Sequence, residues 1–275
     1  MIKAGVIGWP ITHSLSPRLH GYWLDQYTIE GTYQALPVQP ENLGASLREF
    51  QDAGYGGLNV TVPHKETVME FLHEVSASAR RIGAVNTIVM QDGVLKGSNT
   101  DGFGFMENLK SGPGGFDASQ GPAVVLGAGG AARAIVAALL DNGAPEVRLC
   151  NRSRGRAETL AADLGGPVGV WDWDERAAAL EGAALLVNTT TLGMRGNPPL
   201  EIPLEALPTD TLVNDIVYAP LQTDLLVAAA RRGNPVVDGI GMLLHQARPG
   251  FAAWFGVKPE VTAGLRAHVL AGLVP

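Results

Sequence analysis

Two short polar segments follow predicted strands, and together they carry residues able to move a proton. The first is Asn59-Val60-Thr61-Val62-Pro63-His64-Lys65, and the second is Gly97-Ser98-Asn99-Thr100-Asp101-Gly102. Because ligand sites of α/β proteins form at strand ends, Lys65 and Asp101 are candidates for an acid–base pair. Such a pair suits the oxidation of a hydroxyl group, which loses a proton as its hydride leaves. Spacing alone leaves another interpretation open, since an isolated lysine and aspartate more often form a surface charge and a helix cap.

A third polar segment, His13-Ser14-Leu15-Ser16-Pro17, lies at a predicted strand-to-helix turn. Its two hydroxyls favour either a helix cap, the usual role of Ser16 taken in isolation, or a site for a carboxylate at the helix N-terminus. The six histidines show no metal-ligand spacing, since H-x-x-x-H is absent. We therefore predict no metal site.

A glycine-rich turn carries the cofactor signal. Gly127-Ala128-Gly129-Gly130-Ala131-Ala132 fits the dinucleotide pattern G-x-G-x-x-[G/A], between an apolar strand and an apolar helix. Gly127 permits the tight turn, and Gly129 lets backbone N–H groups approach a pyrophosphate at the helix N-terminus. Ala132 is small enough for close packing of the helix on the strand. The alternative is a glycine-rich turn without a ligand.

The end of the next predicted strand distinguishes NADP from NAD. An NAD site usually carries Asp or Glu there, about 20 residues on, to bond the ribose hydroxyls. This chain has Asn151-Arg152-Ser153-Arg154-Gly155-Arg156 instead. Arginine suits phosphate recognition, and cations at a helix N-terminus oppose the helix dipole, so they need another reason to be there. The segment favours NADP, the alternative being a solvated basic helix start.

Composition narrows the class of protein. The chain has 275 residues, 46% hydrophobic and 17% charged, with a net charge of −7. This length predicts one large or two modest domains, and the acidic balance argues against a nucleic-acid or membrane binder. The lone Cys150 permits no disulfide within the chain and is expected to be a buried strand thiol. With no leader-like or membrane-length apolar segment, we expect a cytoplasmic protein. We further expect a small-molecule substrate and either a monomer or a homodimer.

Short β-rich runs alternate with helical patterns, which predicts an α/β fold with mostly parallel sheets. The first part of the chain predicts strands at 3–7, 32–35 and 57–62, helices at 17–27, 41–52 and 63–72, and a hairpin of 85–90 with 94–97. A glycine-rich loop at 111–122 indicates a domain boundary at or near it. Beyond it the pattern predicts strands at 123–126, 146–150, 168–171, 185–188, 211–215 and 235–237, and helices at 130–142, 154–164 and 223–232. Residues 242–273 predict two helices, broken near 256–259, that would return to the first domain.

In their order and spacing these motifs resemble the shikimate dehydrogenase family over essentially the whole chain. Besides the segments quoted above, the resemblance rests on Gly8-Trp9-Pro10-Ile11, Gly83-Ala84-Val85-Asn86-Thr87, Asp215-Ile216-Val217-Tyr218 and Asp238-Gly239-Ile240-Gly241-Met242-Leu243-Leu244-His245-Gln246. It implies NADP-dependent interconversion of 3-dehydroshikimate and shikimate in aromatic amino-acid biosynthesis. It also implies a substrate domain with a mainly parallel sheet at 1–103 and 241–275, and a Rossmann-type NADP-binding domain at 104–240.

The resemblance also implies roles for single residues. Lys65 would be the catalytic acid/base, and Asp101 would orient it and the reacting hydroxyl. The other substrate-binding residues implied are Ser14 and Ser16 at the carboxylate with Tyr218 nearby, and Thr61, Asn86, Asp101 and Gln246 at the ring hydroxyls. The cofactor residues implied are Gly127, Ala128, Gly129, Gly130 and Ala131 at the pyrophosphate, Asn151, Arg152, Ser153 and Arg156 at the 2′-phosphate, and Ile216 and Gly239 at the nicotinamide.

Three positions depart from the family's usual pattern. Ala219 stands where Asn usually follows the tyrosine, and Gly21 stands where Asn often follows the histidine of S-P-x-x-H. Ser153 replaces a common Thr and keeps its hydroxyl. Two other functions stay open: a quinate/shikimate dehydrogenase using NAD, which the arginines disfavour, and a non-catalytic NADP-binding sensor on the same fold, which needs no proton-transfer pair.

Overall fold

Residues 1–273 are described by the computed structural model, and they form two units of strands and helices. The first unit comprises Met1–Asp101 and the chain from Leu243 onward, and the second comprises Gly102–Met242. The predicted α/β fold is confirmed. Among the described residues, no helix has the length and apolar character that a membrane crossing requires.

The first unit is built on a mixed sheet. Its strand order is β2-β1-β3-β5-β6-β4. β1 runs parallel to β2 and β3, and β4 parallel to β6, whereas β5 is antiparallel to both of its neighbours, β3 and β6. Its elements up to the last strand are β1 (Ile2–Gly8), α1 (Ser16–Gln26), β2 (Gly31–Pro37), α2 (Leu43–Asp52), β3 (Tyr55–Val60), β4 (Glu74–Val75), α3 (Ala77–Ile82), β5 (Thr87–Gln91) and β6 (Val94–Ser98).

The predicted hairpin is present as β5 and β6. Its turn residues Asp92 and Gly93 have φ angles of 51° and 77°. Positive φ at both central positions is what a two-residue type I′ turn requires, and an Asp-Gly pair accepts it readily. The sequence therefore predicts this turn correctly from residue type alone.

One predicted helix is wrong. Residues 63–72 form turns and then a 3₁₀ helix at Thr67–Phe71. The carbonyl of Lys65 accepts a hydrogen bond of 2.7 Å from the Val85 N–H, in place of the Met69 N–H that an α-helix would use. A bond to a distant segment therefore overrides the local helical pattern.

The second unit is a parallel sheet with helices. Its strand order is β12-β11-β10-β7-β8-β9, with parallel neighbours, and counted from β7 this is the doubly wound order 3-2-1-4-5-6. The glycine-rich loop at 111–122 lies inside this unit, past the division between Asp101 and Gly102. The elements of this unit are α4 (Asp101–Lys110), β7 (Ala123–Leu126), α5 (Gly130–Asp141), β8 (Val147–Asn151), α6 (Arg154–Leu164), β9 (Val168–Asp172), β10 (Leu185–Asn188), β11 (Leu212–Asp215), α7 (Asp224–Arg232) and β12 (Val236–Val237). The chain then returns to the first unit through α8 (Ile240–Phe255) and α9 (Ala263–Leu270).

The core of the first unit is closed by α8 and α9. α9 packs on α1, and Trp254 of α8 lies over the sheet, where its Nε1 donates to the Ile88 carbonyl at 3.0 Å. That contact requires a glycine on the neighbouring strand β3. A Cβ at Gly57 would lie 2.0 Å from Trp254 Nε1 and 2.3 Å from the Ile88 oxygen.

Gly57→Ala is therefore expected to lower the free energy of unfolding by about 1–3 kcal/mol, because the added methyl displaces the indole from its carbonyl partner. Urea unfolding followed by circular dichroism measures this change. The matched control is Gly21→Ala inside α1, where a Cβ meets nothing within 4 Å. There, the better helix propensity of alanine should leave stability equal or raise it by about 1 kcal/mol. Equal stability of wild type and Gly57→Ala would contradict the packing argument.

Candidate functional site

Lys65 and Asp101 are in contact in the first unit. Since β5 is antiparallel to both β3 and β6, those two strands run in the same direction and end at the same edge of the sheet. Lys65 follows the end of β3 and Asp101 follows the end of β6. Lys65 Nζ lies 2.6 Å from Asp101 Oδ2, with the side chains 17% and 5% exposed. The structure thus brings the two candidates together as an ion pair that solvent still reaches on the lysine side.

Asn86 holds the other oxygen of this aspartate. Its Nδ2 donates to Asp101 Oδ1 at 2.8 Å, and it also lies 3.0 Å from Thr100 Oγ1 and 3.2 Å from Gln246 Oε1. Its Oδ1 accepts from the Thr100 N–H and the Thr87 hydroxyl, both at 2.9 Å. An amide nitrogen has two hydrogens, so the three acceptors compete for it and the charged one is favoured. Asn86 therefore leaves Asp101 Oδ2 directed at Lys65.

Asn59 and Tyr33 extend this buried network. Asn59 Nδ2 donates to the Asn86 carbonyl at 3.1 Å, and its Oδ1 accepts from the Tyr33 hydroxyl at 2.6 Å. Burial raises the pKa of Tyr33 well above its usual value, while a hydrogen bond with the Ser16 side chain acts in the opposite direction. Sequence reasoning assigned no role to either residue. The polar Asn59 within a buried strand was an available signal, whereas nothing in the pattern points to Tyr33.

Ser14 and Ser16 lie at the start of α1. Of the two alternatives for Ser16, the helix cap is not the one observed, because α1 begins at Ser16 itself and the hydroxyl of Ser14 accepts from the Ser16 N–H at 3.3 Å. The buried side chain of Ser16 is engaged with Tyr33 instead. Thr61, partly buried, follows β3, and its N–H donates to the Ile7 carbonyl at 3.0 Å. The substrate contacts of these residues remain predictions.

The second unit presents a glycine turn where the strand order reverses, between β7 and β10. Gly127 has φ of 110°, and a Cβ there would lie 2.6 Å from Thr189 Oγ1. Gly129 precedes the first residue of α5, and a Cβ on it would meet nothing within 4 Å. Ala128 is buried and Gly130 and Ala131 begin the helix, while Ala132 is fully buried beneath them. Backbone N–H groups at an open helix N-terminus are a suitable cradle for a phosphate group.

Two of the three arginines after β8 have no carboxylate partner among the described residues. Arg154 donates to Glu158 at 2.9 Å and to Asp172 at 2.7 Å, and these bonds raise its pKa above the usual value. Arg152 and Arg156 are exposed, and within residues 1–273 neither forms an ion pair. Two guanidinium groups thus stand free to bind an anion at the start of α6.

The remaining candidates of the second unit lie at strand ends. Asn151 ends β8, and its Nδ2 donates to the Ser153 carbonyl at 2.8 Å, which shapes the turn into α6. A Cβ at Gly239 would lie 2.4 Å from the Ile216 oxygen, so the two backbones are in contact. Tyr218 is partly buried, and burial raises the pKa of its hydroxyl.

Cys150 and the arrangement of possible metal ligands were also predicted from the sequence. Cys150 is buried in β8 as predicted, and burial raises its pKa to about 12, so the thiol stays protonated at neutral pH. Within residues 1–273 no group of three His, Cys, Asp or Glu side chains is arranged to hold a metal ion.

A doubly wound unit with a glycine turn and exposed arginines, in one chain with a unit that carries a largely buried lysine–aspartate ion pair, is typical of a dinucleotide-dependent oxidoreductase. Comparison with known proteins agrees. Residues 6–88 match the shikimate dehydrogenase substrate binding domain, and residues 114–192 match the shikimate/quinate 5-dehydrogenase family. The chain belongs to the shikimate dehydrogenase family.

Individual relatives and structures extend this likeness over the full chain. The chain is 62% identical over 269 residues to the shikimate dehydrogenase (NADP(+)) of Paramagnetospirillum magneticum, covering 98% of each chain. It is similar to a crystal structure of a shikimate dehydrogenase in complex with NADP+, at 33% identity and a TM-score of 0.92, covering 100% of this chain and 96% of the other. It is also similar to the Thermus thermophilus shikimate 5-dehydrogenase in complex with NADP(H) and shikimate, at 36% identity and a TM-score of 0.87, covering 99% and 100%.

His20 packs against Tyr33, the partner of Ser16, and the stability of the fold should depend on the protonation of its ring. Its ring stacks on Tyr33, with centroids 3.8 Å apart and planes 3° apart, and it contacts Trp23 edge-on. Burial lowers the pKa of His20 to about 3. The unfolded chain, whose histidine titrates near 6.5, therefore binds a proton that the folded chain does not bind between these two values.

Stability is accordingly expected to fall as the pH drops from about 6.5 toward 3, with His20 contributing up to about 1.4 kcal/mol per pH unit. His20→Phe keeps an aromatic ring and should flatten this dependence in urea unfolding measured across that range. His13→Ala, at an exposed histidine, is the control and should keep the wild-type slope. An unchanged slope in His20→Phe would refute the assignment.

Proposed function

We propose that this chain catalyses the reversible NADPH-dependent reduction of 3-dehydroshikimate to shikimate in the pathway to aromatic amino acids. The observation that carries the proposal is the 2.6 Å contact of Lys65 with Asp101 at the predicted catalytic positions. Family membership supports it, because the relatives over the whole chain are NADP(+)-dependent shikimate dehydrogenases. Those names favour neither an NAD-dependent quinate enzyme nor a non-catalytic sensor.

Lys65 is the proton carrier of the proposed reaction. NADPH, when bound, supplies the hydride to the carbonyl carbon, and the carbonyl oxygen then needs a proton. Lys65 Nζ donates that proton in the reducing direction, and the neutral amine takes the hydroxyl proton in the oxidising direction. Asp101 Oδ2 stabilises the ammonium form at 2.6 Å, and Asn86 keeps the aspartate oriented through Oδ1. Lys65 and Asp101 therefore act as one unit.

The first unit is proposed to bind the substrate through hydroxyl and amide groups. The hydroxyls of Ser14 and Ser16 at the N-terminus of α1 receive the substrate carboxylate, and Tyr218 of the second unit is a further residue proposed for the carboxylate. Each ring hydroxyl needs both a donor and an acceptor, which an amide or carboxylate supplies. The residues proposed for the ring hydroxyls are Thr61, Asn86, Asp101 and Gln246.

The second unit is proposed to hold NADP, and its residues fit that group. The φ of 110° at Gly127 and the open space at Gly129 leave the first N–H groups of α5 accessible to a pyrophosphate. Arg152 and Arg156 are free to pair with the 2′-phosphate. The residues proposed are Gly127, Ala128, Gly129, Gly130 and Ala131 for the pyrophosphate, Asn151, Arg152, Ser153 and Arg156 for the 2′-phosphate, and Ile216 and Gly239 for the nicotinamide. We also propose a cytoplasmic enzyme that works as a monomer or homodimer.

Replacement of the proton carrier tests the reaction directly. With purified protein, shikimate and NADP+, ultraviolet absorbance of the reduced cofactor gives turnover, and Lys65→Ala should lower kcat by about 10²–10⁴-fold because proton transfer is lost. Lys65→Arg is the matched control for charge, since it retains a cation for Asp101 but stays protonated and should also be strongly impaired. Near-normal kcat in Lys65→Ala would reject Lys65 as acid/base, and no turnover by folded wild type would reject the proposed function.

The arginines test the cofactor. Arg152→Ala and Arg156→Ala should each lower the ratio of kcat/KM with NADP+ to kcat/KM with NAD+ by about 10–100-fold, because a charge-assisted contact to the 2′-phosphate is lost. Arg154→Ala is the matched control. Its guanidinium is already bonded to Glu158 and Asp172, so the ratio should change by less than about threefold. A wild-type preference for NAD+, or a larger effect at Arg154, would contradict the assignment.

A further inference from the structure

Asp215, the last residue of β11, is a fully buried carboxylate held by neutral groups. Its Oδ1 accepts from Asn188 Nδ2 and from the Val217 N–H, both at 3.0 Å, and its Oδ2 accepts from the Thr223 hydroxyl at 2.7 Å. Within residues 1–273 no cation forms an ion pair with it, and burial raises its pKa. A buried carboxylate without a counter-charge costs free energy, which three neutral donors offset only in part.

The donors of Asp215 fix the backbone that follows β11. The bond to the Val217 N–H closes a turn across Ile216, whose own N–H donates to the Asn188 carbonyl at 3.1 Å. The Ile216 carbonyl then lies against Gly239, so closely that a Cβ at Gly239 would come within 2.4 Å of it. Any shift of the turn would therefore move both of these backbone segments.

The same carboxylate anchors a helix and a second turn. The hydroxyl of Thr223 donates to Asp215 and accepts from the Leu226 N–H at 3.4 Å, as the N-cap of α7. Asn188, at the end of β10, accepts from the Thr190 N–H at 3.0 Å while it donates to Asp215. Asp215 thus joins the ends of two neighbouring strands to the start of α7.

We propose that Asp215 is a positioning residue for hydride transfer. Through the Val217 N–H and the Thr223 hydroxyl it holds Ile216 and Gly239 in the arrangement against which the nicotinamide ring rests. This inference depends on the proposed function, which places the ring at Ile216 and Gly239. Asp215 touches no reacting atom, and the phosphates of the adenosine half are held by other residues. Its loss should therefore impair the reaction more than it impairs recognition of that half.

The test uses variants that keep the size of the side chains. Asp215→Asn replaces Oδ2, the acceptor of the Thr223 hydroxyl, with an amide nitrogen, so the hydroxyl loses this hydrogen bond. Thr223→Val removes the hydroxyl itself. Each should lower kcat for shikimate oxidation by about tenfold or more, because small misplacements of reacting groups are costly. The Kd for adenosine 2′,5′-bisphosphate should change by less than about twofold, and Thr223→Ser, which keeps the hydroxyl, should restore kcat to within about threefold of wild type.

Nicotinamide fluorescence supplies a readout that does not need turnover. Wild type should change the emission of NADPH on binding, and Asp215→Asn should reduce that change while its affinity for adenosine 2′,5′-bisphosphate is kept. The inference is overturned if both variants keep kcat and emission within about twofold of wild type. It is equally overturned if kcat and bisphosphate affinity fall together and Thr223→Ser restores neither, which would indicate a purely structural role. Absence of shikimate turnover in wild type, with the emission effects intact, would instead reject the substrate assignment.

Discussion

The cost of taking a carboxylate out of water governs how both units are built. Asp101 and Asp215 each lie at or just beyond a strand end and are almost fully buried, so each must be surrounded by donors. In the first unit this demand gathers Lys65 and Asn86 around Asp101, and in the second it gathers Asn188 and Thr223 around Asp215. Four polar side chains near the ends of the strands thus serve to satisfy two buried carboxylates.

The two carboxylates differ in the charge of their partners, and the difference matches the roles proposed for them. Asp101 is paired with an ammonium group that solvent reaches, so it can support a proton moving on and off Lys65. Asp215 has only neutral donors among the described residues, two from side chains and one from the backbone, and these bonds hold main chain in place. A carboxylate beside an exchangeable proton supports chemistry, whereas one bonded to backbone and a helix cap supports geometry.

Much of the fold follows from local pattern. The Asp92-Gly93 turn and the βαβ series after residue 122 agree with local propensity, because their strands and caps need no distant partner to be recognised. Prediction failed where a long-range bond decides, at 63–72, where the Val85 N–H donates to the Lys65 carbonyl. The sequence analysis did not predict β4, α3 or α4. A two-residue strand and a six-residue helix carry too little periodicity, and Gly102 and Gly104 weaken the helical signal of the ten-residue α4.

The arginines after β8 show how far residue types alone define a site. The sequence shows three equivalent cations at the start of α6. In the structure, however, Arg154 donates hydrogen bonds to Asp172, at the end of β9, and to Glu158, one turn into α6. Glu158 lies four residues and Asp172 lies 18 residues from Arg154 in sequence. The contact with Asp172 forms because β8 and β9 pair in parallel. The composition of the segment therefore predicts a preference for phosphate, while sheet register determines which guanidinium groups remain free to express it. The proposed preference of this chain for NADP thus depends on the register between two strands as much as on the motif itself.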